Sequence, residues 1–89
     1  MNFDEHLNEK LKDEGFKKEW DKLQYEKEII NLFIEERNKQ NITQEELTKR
    51  ANLEDTTVLD IETGDVSPTI YDLNSMAMAL GKKLVIELK

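Results

Sequence analysis

Few side chains in this sequence could carry out covalent chemistry. His6 is the only histidine, and neither Ser67 nor Ser75 has a nearby base that could activate it as a nucleophile. The three glycines form no glycine-rich phosphate loop. The aspartates and glutamates are spread along polar helix faces and are not paired in an apolar pocket, so the pattern gives no acid–base site. We therefore expect a binding protein that is not an enzyme and needs no cofactor.

The polar residues between positions 43 and 64 are instead typical of helix boundaries. Thr43 and Glu46 have the spacing of a capping box, in which the threonine hydroxyl accepts the Glu46 N–H and the glutamate carboxylate accepts the Thr43 N–H. Asn52 tolerates the left-handed conformation that ends a helix, and Gly64 suits the end of a second helix. Two short helices joined by a tight turn form a helix-turn-helix, which places its second helix in the DNA major groove.

The second helix of this motif and the helix after it have predicted starts. Glu54 or Asp55 is expected to cap the second helix. Ser67 is expected to cap the following helix, with Pro68 at the first helical position, where a missing N–H costs nothing. The buried faces of the two helices are expected at Val58 and Ile61, and at Ile70, Leu73, Met76, Ala77 and Leu80.

Residues 26–81 resemble the Xre/Cro, or phage-repressor, type of helix-turn-helix domain. The resemblance rests on Thr43-Gln44-Glu45-Glu46-Leu47, Ala51-Asn52-Leu53, Val58, Ile61-Glu62-Thr63-Gly64, Ser67-Pro68 and Leu80-Gly81. With its charged amphipathic leader and hydrophobic tail, the chain is similar to HigA-type antitoxins of bacterial toxin–antitoxin pairs. This implies an all-α, five-helix-type lambda-repressor-like domain at residues 24–81. An N-terminal helical arm at residues 1–23 and a short C-terminal β-strand at residues 82–89 would flank it.

The resemblance also implies roles for individual residues. Arg37 should form a buried ion pair with Glu62, near the end of the recognition helix. Phosphate contacts are implied for Gln44, Thr57 and Thr63, and base-edge contacts for Asp55, Thr56 and Asp60. Lys49, Arg50, Lys82 and Lys83 are the remaining obvious phosphate partners in this half of the chain. An aspartate can accept a hydrogen bond from a cytosine amino group, but the neighbouring phosphates repel it.

The charge of the chain conflicts with tight DNA binding by this protein alone. The net charge is −7, and residues 24–89 carry 8 basic and 13 acidic side chains, so the DNA-binding half is itself at 8 − 13 = −5. Affinity for nucleic acid depends on Lys and Arg neutralising phosphates. A basic partner would supply the missing cationic surface, and toxins of the matching (HigB-like) type are usually basic ribonucleases.

The N-terminal arm carries an apolar stripe at helical spacing. Its members are Phe3, Leu7, Leu11, Phe16, Trp20 and Leu23. Gly15 interrupts the pattern between its two halves. The stripe either folds back to enlarge a small core or forms a partner-binding surface of the helix-in-groove type, in which aromatic anchors dominate the binding energy.

The C-terminal segment is short, apolar and nearly alternating, which predicts a β-strand. The residues concerned are Leu84, Val85, Ile86 and Leu88. A single strand must pair with another, and the same strand of a second copy would give an antiparallel dimer ribbon across a two-fold axis. The alternatives are that the segment pairs with a toxin strand or packs locally.

The resemblance to HigA-type antitoxins implies an antitoxin of a type II toxin–antitoxin system, which the acidic charge fits. It would neutralise a ribonuclease toxin, bind operator DNA and form a homodimer. The alternatives are a phage-type repressor without a toxin partner, or an interaction module that has kept the fold and lost DNA binding. The chain has no cysteine, no apolar run long enough to span a membrane and no signal core, so a cytoplasmic protein with no membrane partner is expected.

Overall fold

The computed structural model describes residues 14–89 and contains four α-helices in that range, with no strand. They are α1 (Glu14–Lys39), α2 (Gln44–Arg50), α3 (Thr57–Thr63) and α4 (Ile70–Ala79). The five-helix arrangement is not observed among these residues, which form four helices, and the second half of the expected arm is continuous with the first helix of the domain. The boundary expected between residues 23 and 24 therefore falls inside α1. His6, Phe3, Leu7 and Leu11 lie outside the described residues.

α2 begins at the predicted threonine cap, but its capping box is incomplete. The Thr43 hydroxyl accepts the Glu46 N–H at 3.0 Å, as expected. The Glu46 carboxylate does not return to the Thr43 N–H. It accepts a hydrogen bond from the Thr43 hydroxyl at 3.4 Å and pairs with Arg50 at 3.6 Å, one turn along the same helix. Asn52 has a φ of 56°, so the prediction of a left-handed turn after α2 is confirmed.

α3 starts later than predicted. Neither Glu54 nor Asp55 caps it: the preceding residue is Thr56, with a left-handed φ of 67° and no side-chain cap bond. The left-handed turn at Thr56 redirects the chain just before the helix. The helix ends, as predicted, at Gly64 with a φ of 87°.

The predicted start of α4 is wrong by two residues. Thr69, not Ser67, is the cap, and it forms a complete capping box with Asp72 in which both hydrogen bonds are 3.0 Å. A capping box needs a carboxylate or amide three residues after the hydroxyl, and Ser67 is followed at that distance by Ile70. Ile70 therefore lies in the first turn and is exposed, contrary to the prediction that it belongs to the core.

The core is formed where α1, α2, α3 and α4 meet. Its buried members are Ile30, Ile42, Leu47, Val58, Ile61, Met76 and Leu80. α2 packs against both α3 and α4, and α1 packs against α3. Ile30 is the only buried residue of α1, so residues 14–29, about 24 Å of helix, carry none.

Residues 82–89 have no regular secondary structure. The strand predicted for Leu84, Val85, Ile86 and Leu88 is not formed within the single chain, because a strand needs a neighbour for its backbone N–H and C=O groups and residues 14–89 offer none. Among the same residues, no helix combines the length and apolar character needed to cross a bilayer, and no cluster of His, Asp and Glu could hold a metal ion.

Candidate nucleic-acid interface

The orientation of α3 is fixed by a bidentate ion pair. Arg37 on α1 donates through Nη2 to Glu62 Oε1 at 2.9 Å and through Nε to Glu62 Oε2 at 3.1 Å. Its Nη1 donates to the carbonyl of Ile42 at 2.9 Å. The two charged side chains are only 12% and 6% exposed, so water screens the pair weakly. One guanidinium thus joins α1, the residue before the α2 cap and the end of α3.

A concave surface lies between α2 and α3. It is lined by Gln44, Glu45, Thr48, Lys49, Leu53, Asp55, Thr56 and Leu59. Four of the ten residues with a predicted DNA contact are therefore brought together: Gln44, Lys49, Asp55 and Thr56. Thr57, Asp60 and Thr63 belong to α3 but do not line this surface, and neither do Arg50, Lys82 and Lys83.

The threonines of α3 donate their hydroxyl protons within the chain. Thr57 donates to the Glu54 carbonyl at 2.7 Å, and Thr63 donates to the Asp60 carbonyl at 3.2 Å. Thr56 donates to the Asp60 carboxylate at 3.0 Å. A phosphate oxygen is only an acceptor, so each threonine must exchange its internal bond to make a phosphate contact.

Both cations of the helix-turn-helix segment are already paired. Lys49 contacts Glu45 at 3.3 Å, and Arg50 contacts Glu46 at 3.6 Å. Residues 43–66 contain two basic and seven acidic side chains, a net charge of 2 − 7 = −5. The acidic residues without a cation partner are Glu54, Asp55, Asp60 and Asp65. The surface that faces DNA in this motif is therefore strongly negative, and each of its basic side chains is already in an ion pair.

Two features of this region were not predicted from the sequence. Leu59 is exposed on α3 and lines the concave surface, where an apolar side chain could contact a thymine methyl group. Its position next to Val58, off the face formed by Val58 and Ile61, was the feature of the sequence that could have predicted this exposure.

The second feature is a polar network in which Gln40 donates to Glu36 at 2.9 Å and to the Leu80 carbonyl at 2.8 Å.

The same network joins α1 to the start of the 82–89 segment. Lys82 contacts the Glu36 carboxylate at 3.4 Å. The pKa of Glu36 is lowered, chiefly by the hydrogen bond from Gln40 and further by the positive charge of Lys82, both of which favour the carboxylate form.

The described part of the predicted arm stripe lies on α1. Phe16 and Trp20 stack with ring centroids 6.4 Å apart and planes inclined by 22°, and both are half-buried. Leu23, one turn further on, is 56% exposed. None of the three enters the core, so the alternative in which the stripe enlarges the core is not observed for these residues.

The fold and this interface define a helix-turn-helix protein. A model of the helix-turn-helix family matches residues 34–86, which is 53 of the 89 residues. The chain therefore belongs to this family, in its Xre/Cro-like form, whose members are DNA-binding regulators of transcription and not typically enzymes. No curated protein and no solved structure shows significant similarity to the chain.

Proposed function

We propose that this protein is the antitoxin of a type II toxin–antitoxin system, acting in the cytoplasm on a basic, HigB-like ribonuclease toxin. The observation that carries the proposal is the charge of the helix-turn-helix surface. Its two cations are paired with Glu45 and Glu46, and four carboxylates on or beside α3 have no cation. A DNA-binding fold with this charge needs cationic surface from a partner before it can hold phosphates tightly.

The partner surface in this proposal is the stripe of Phe16, Trp20 and Leu23, continued by Phe3, Leu7 and Leu11. Trp20 and Leu23 lie on the part of α1 that carries no core residue. Glu26 and Glu19, of which Glu19 contacts Lys22 at 3.7 Å in an exposed pair, follow one edge of this stripe and suit a partner with basic residues around an apolar groove. The antitoxin would act sterically, by covering the RNA site of the toxin or the surface that docks on the ribosome.

The proposal assigns the second apolar element to dimerisation. Leu84, Val85, Ile86 and Leu88 of two copies would pair as an antiparallel ribbon. Two helix-turn-helix motifs related by a two-fold axis match the symmetry of a palindromic operator. Gln44, Lys49, Thr57 and Thr63 would contact phosphates, and Asp55, Thr56 and Asp60 would face base edges.

The test is co-expression of the tagged protein with the products of neighbouring genes, followed by binding to its own promoter over a range of salt concentrations. We expect a small basic protein to co-purify, and the complex to bind the promoter with a steep salt dependence that the free protein lacks. Steep, salt-sensitive binding by the free protein with no partner would show a simple repressor. Neither a partner nor promoter binding would leave an interaction module.

A further inference from the structure

A second apolar face runs along α1 and is separate from the stripe of Phe16 and Trp20. Tyr25, Ile29 and Leu32 are spaced by four and three residues, so they share one face of the helix, and all three are exposed. Tyr25 follows Phe16 by about two and a half turns, so this face, which we call the outer face, points the opposite way. A molecule bound to one face leaves the other accessible.

The outer face continues into an apolar groove. Its apolar lining is Leu32, Phe33, Ala77, Leu80, Leu84 and Val85, and three charged residues, Glu36, Lys82 and Lys83, complete the groove. Two contacts hold it in shape: Gln40 binds the Leu80 carbonyl at 2.8 Å, and Lys82 binds Glu36 at 3.4 Å. The first residues of the 82–89 segment therefore lie beside α1, next to the exposed outer face.

The alternation of residues in the 82–89 segment would give its strand one apolar side, which needs a surface to pack against. Alternation along a strand puts Leu84, Ile86 and Leu88 on one side and Val85 and Glu87 on the other. A ribbon of two copies would carry six Leu and Ile side chains on one side. Two strands alone are marginally stable, and packing against a helix is a usual remedy. The outer face of α1 is an apolar helix surface that adjoins the segment, because Leu32 lines the same groove as Leu84 and Val85.

We infer that the outer face of α1 is the seat of the 82–89 segment of a second copy, so that each strand of the dimer ribbon packs on the first helix of its partner. This inference rests on the proposed dimer and adds to its interface a contact between each strand and α1 of the other copy. The surface is self-complementary, as a two-fold contact requires, because one chain carries both the apolar helix face and the apolar segment.

The charges around these two elements favour a second copy over the toxin. Glu28 and Glu35 flank the outer face, whereas Lys83 precedes the apolar part of the segment and has no ion pair within the described residues; Lys82 already pairs with Glu36 of its own chain. A segment laid on a partner's α1 therefore brings Lys83 towards carboxylates. A basic toxin docked on the groove would instead meet Lys82 and Lys83.

The direct test uses the full chain and isotope-filtered NMR on a mixture of labelled and unlabelled protein. We expect intermolecular contacts between the methyl groups of Ile29 or Leu32 in one copy and those of Ile86 or Leu88 in the other. A spectrum with contacts between the two 82–89 segments and none to α1 would overturn the inference while leaving the ribbon dimer in place.

Two variants provide an independent measurement by sedimentation equilibrium. Leu32→Lys and Ile70→Lys place the same charge at positions of nearly equal exposure, 66% and 67%, and only Leu32 lies on the proposed interface. We expect Leu32→Lys to raise the dimer dissociation constant by at least about tenfold, with Ile70→Lys unchanged.

The outcomes separate this inference from the proposed function. If Ile86→Lys weakens the dimer and Leu32→Lys does not, packing of the 82–89 segment on α1 is excluded and the ribbon dimer stands. A wild-type protein that is monomeric at NMR concentrations would exclude both the ribbon and the seat. Toxin binding is measured separately, in the co-purification, and uses the opposite face of α1.

Discussion

Val58 and Ile61 in the helix-turn-helix motif are almost completely buried, whereas Leu23 and Leu32 on α1, which are as apolar, are more than half exposed. The apolar side chains of the motif are buried in the core of the chain, and its Glu62 is paired with Arg37 of α1. The exposed apolar side chains of α1 and of the 82–89 segment have no such partners among the described residues. The difference implies that substitutions in the first region change the stability of the isolated protein, and that substitutions in the second change association.

The largest effect on stability is expected from Arg37→Ala. It leaves the Glu62 carboxylate nearly buried with no cation, which should lower the free energy of unfolding by about 3 to 5 kcal/mol. Urea denaturation followed by circular dichroism measures the change. The matched control is Arg50→Ala, which removes an exposed ion pair and should cost at most about 1 kcal/mol. A loss below about 1 kcal/mol for Arg37→Ala would show that the pair does not hold the fold together.

The largest effect on association is expected from Trp20→Ala. If Trp20 anchors the toxin, the substitution should weaken the complex by about 2 kcal/mol or more and leave the urea midpoint of the free protein nearly unchanged. Calorimetric titration with the co-purified partner measures the affinity. Tyr25→Ala, on the outer face of the same helix, is the control and should leave toxin affinity unaffected. A fall in the stability of the free protein instead would place Trp20 with the core residues.

An intermediate effect distinguishes the two hydroxyl residues before α4. Thr69→Ala removes both the accepted Asp72 N–H bond and the capping box, and should cost about 1 kcal/mol of stability. Ser67→Ala, the cap expected from the sequence, should cost a few tenths of a kcal/mol or less, since surface substitutions away from such features usually do. Equal losses for the two variants would contradict the helix start seen in the structure.

These helix starts show how far the sequence could predict the fold. Asn52 and Gly64 were predicted well because each has few competitors for a left-handed position nearby. Ser67 and Thr69 are both good caps, and choosing between them required noticing that only Thr69 has a carboxylate three residues later.

The sequence predicted the segment that carries the candidate site better than it predicted the contacts of the side chains in it. The two helices of the helix-turn-helix motif between Gln44 and Thr63 were predicted correctly, but the sequence did not show that the α3 threonines donate their protons internally or that Leu59 joins the concave surface. Those facts depend on side-chain rotamers and on the later start of α3. The strand at residues 84–88 is a different case, because its formation depends on a second chain that no pattern within one copy supplies.

The smallest effect concerns the link between the two regions, the Glu36 network. Because the pKa of Glu36 is lowered in the folded protein, its contribution to stability is fully present above its ordinary pKa of 4.5 and is lost as the pH falls through the lower, folded value. The Lys82 side chain is 59% exposed and that of Glu36 is 22% exposed, so ions reach the pair and high salt should weaken the contribution of Lys82. Gln40 contributes most to the shift, so Gln40→Ala should move the Glu36 pKa back towards 4.5, measured by carbon-detected NMR titration. A Glu36 pKa that stays low in Gln40→Ala and rises only in Lys82→Ala would show that the charge of Lys82, and not the hydrogen bond from Gln40, lowers the Glu36 pKa.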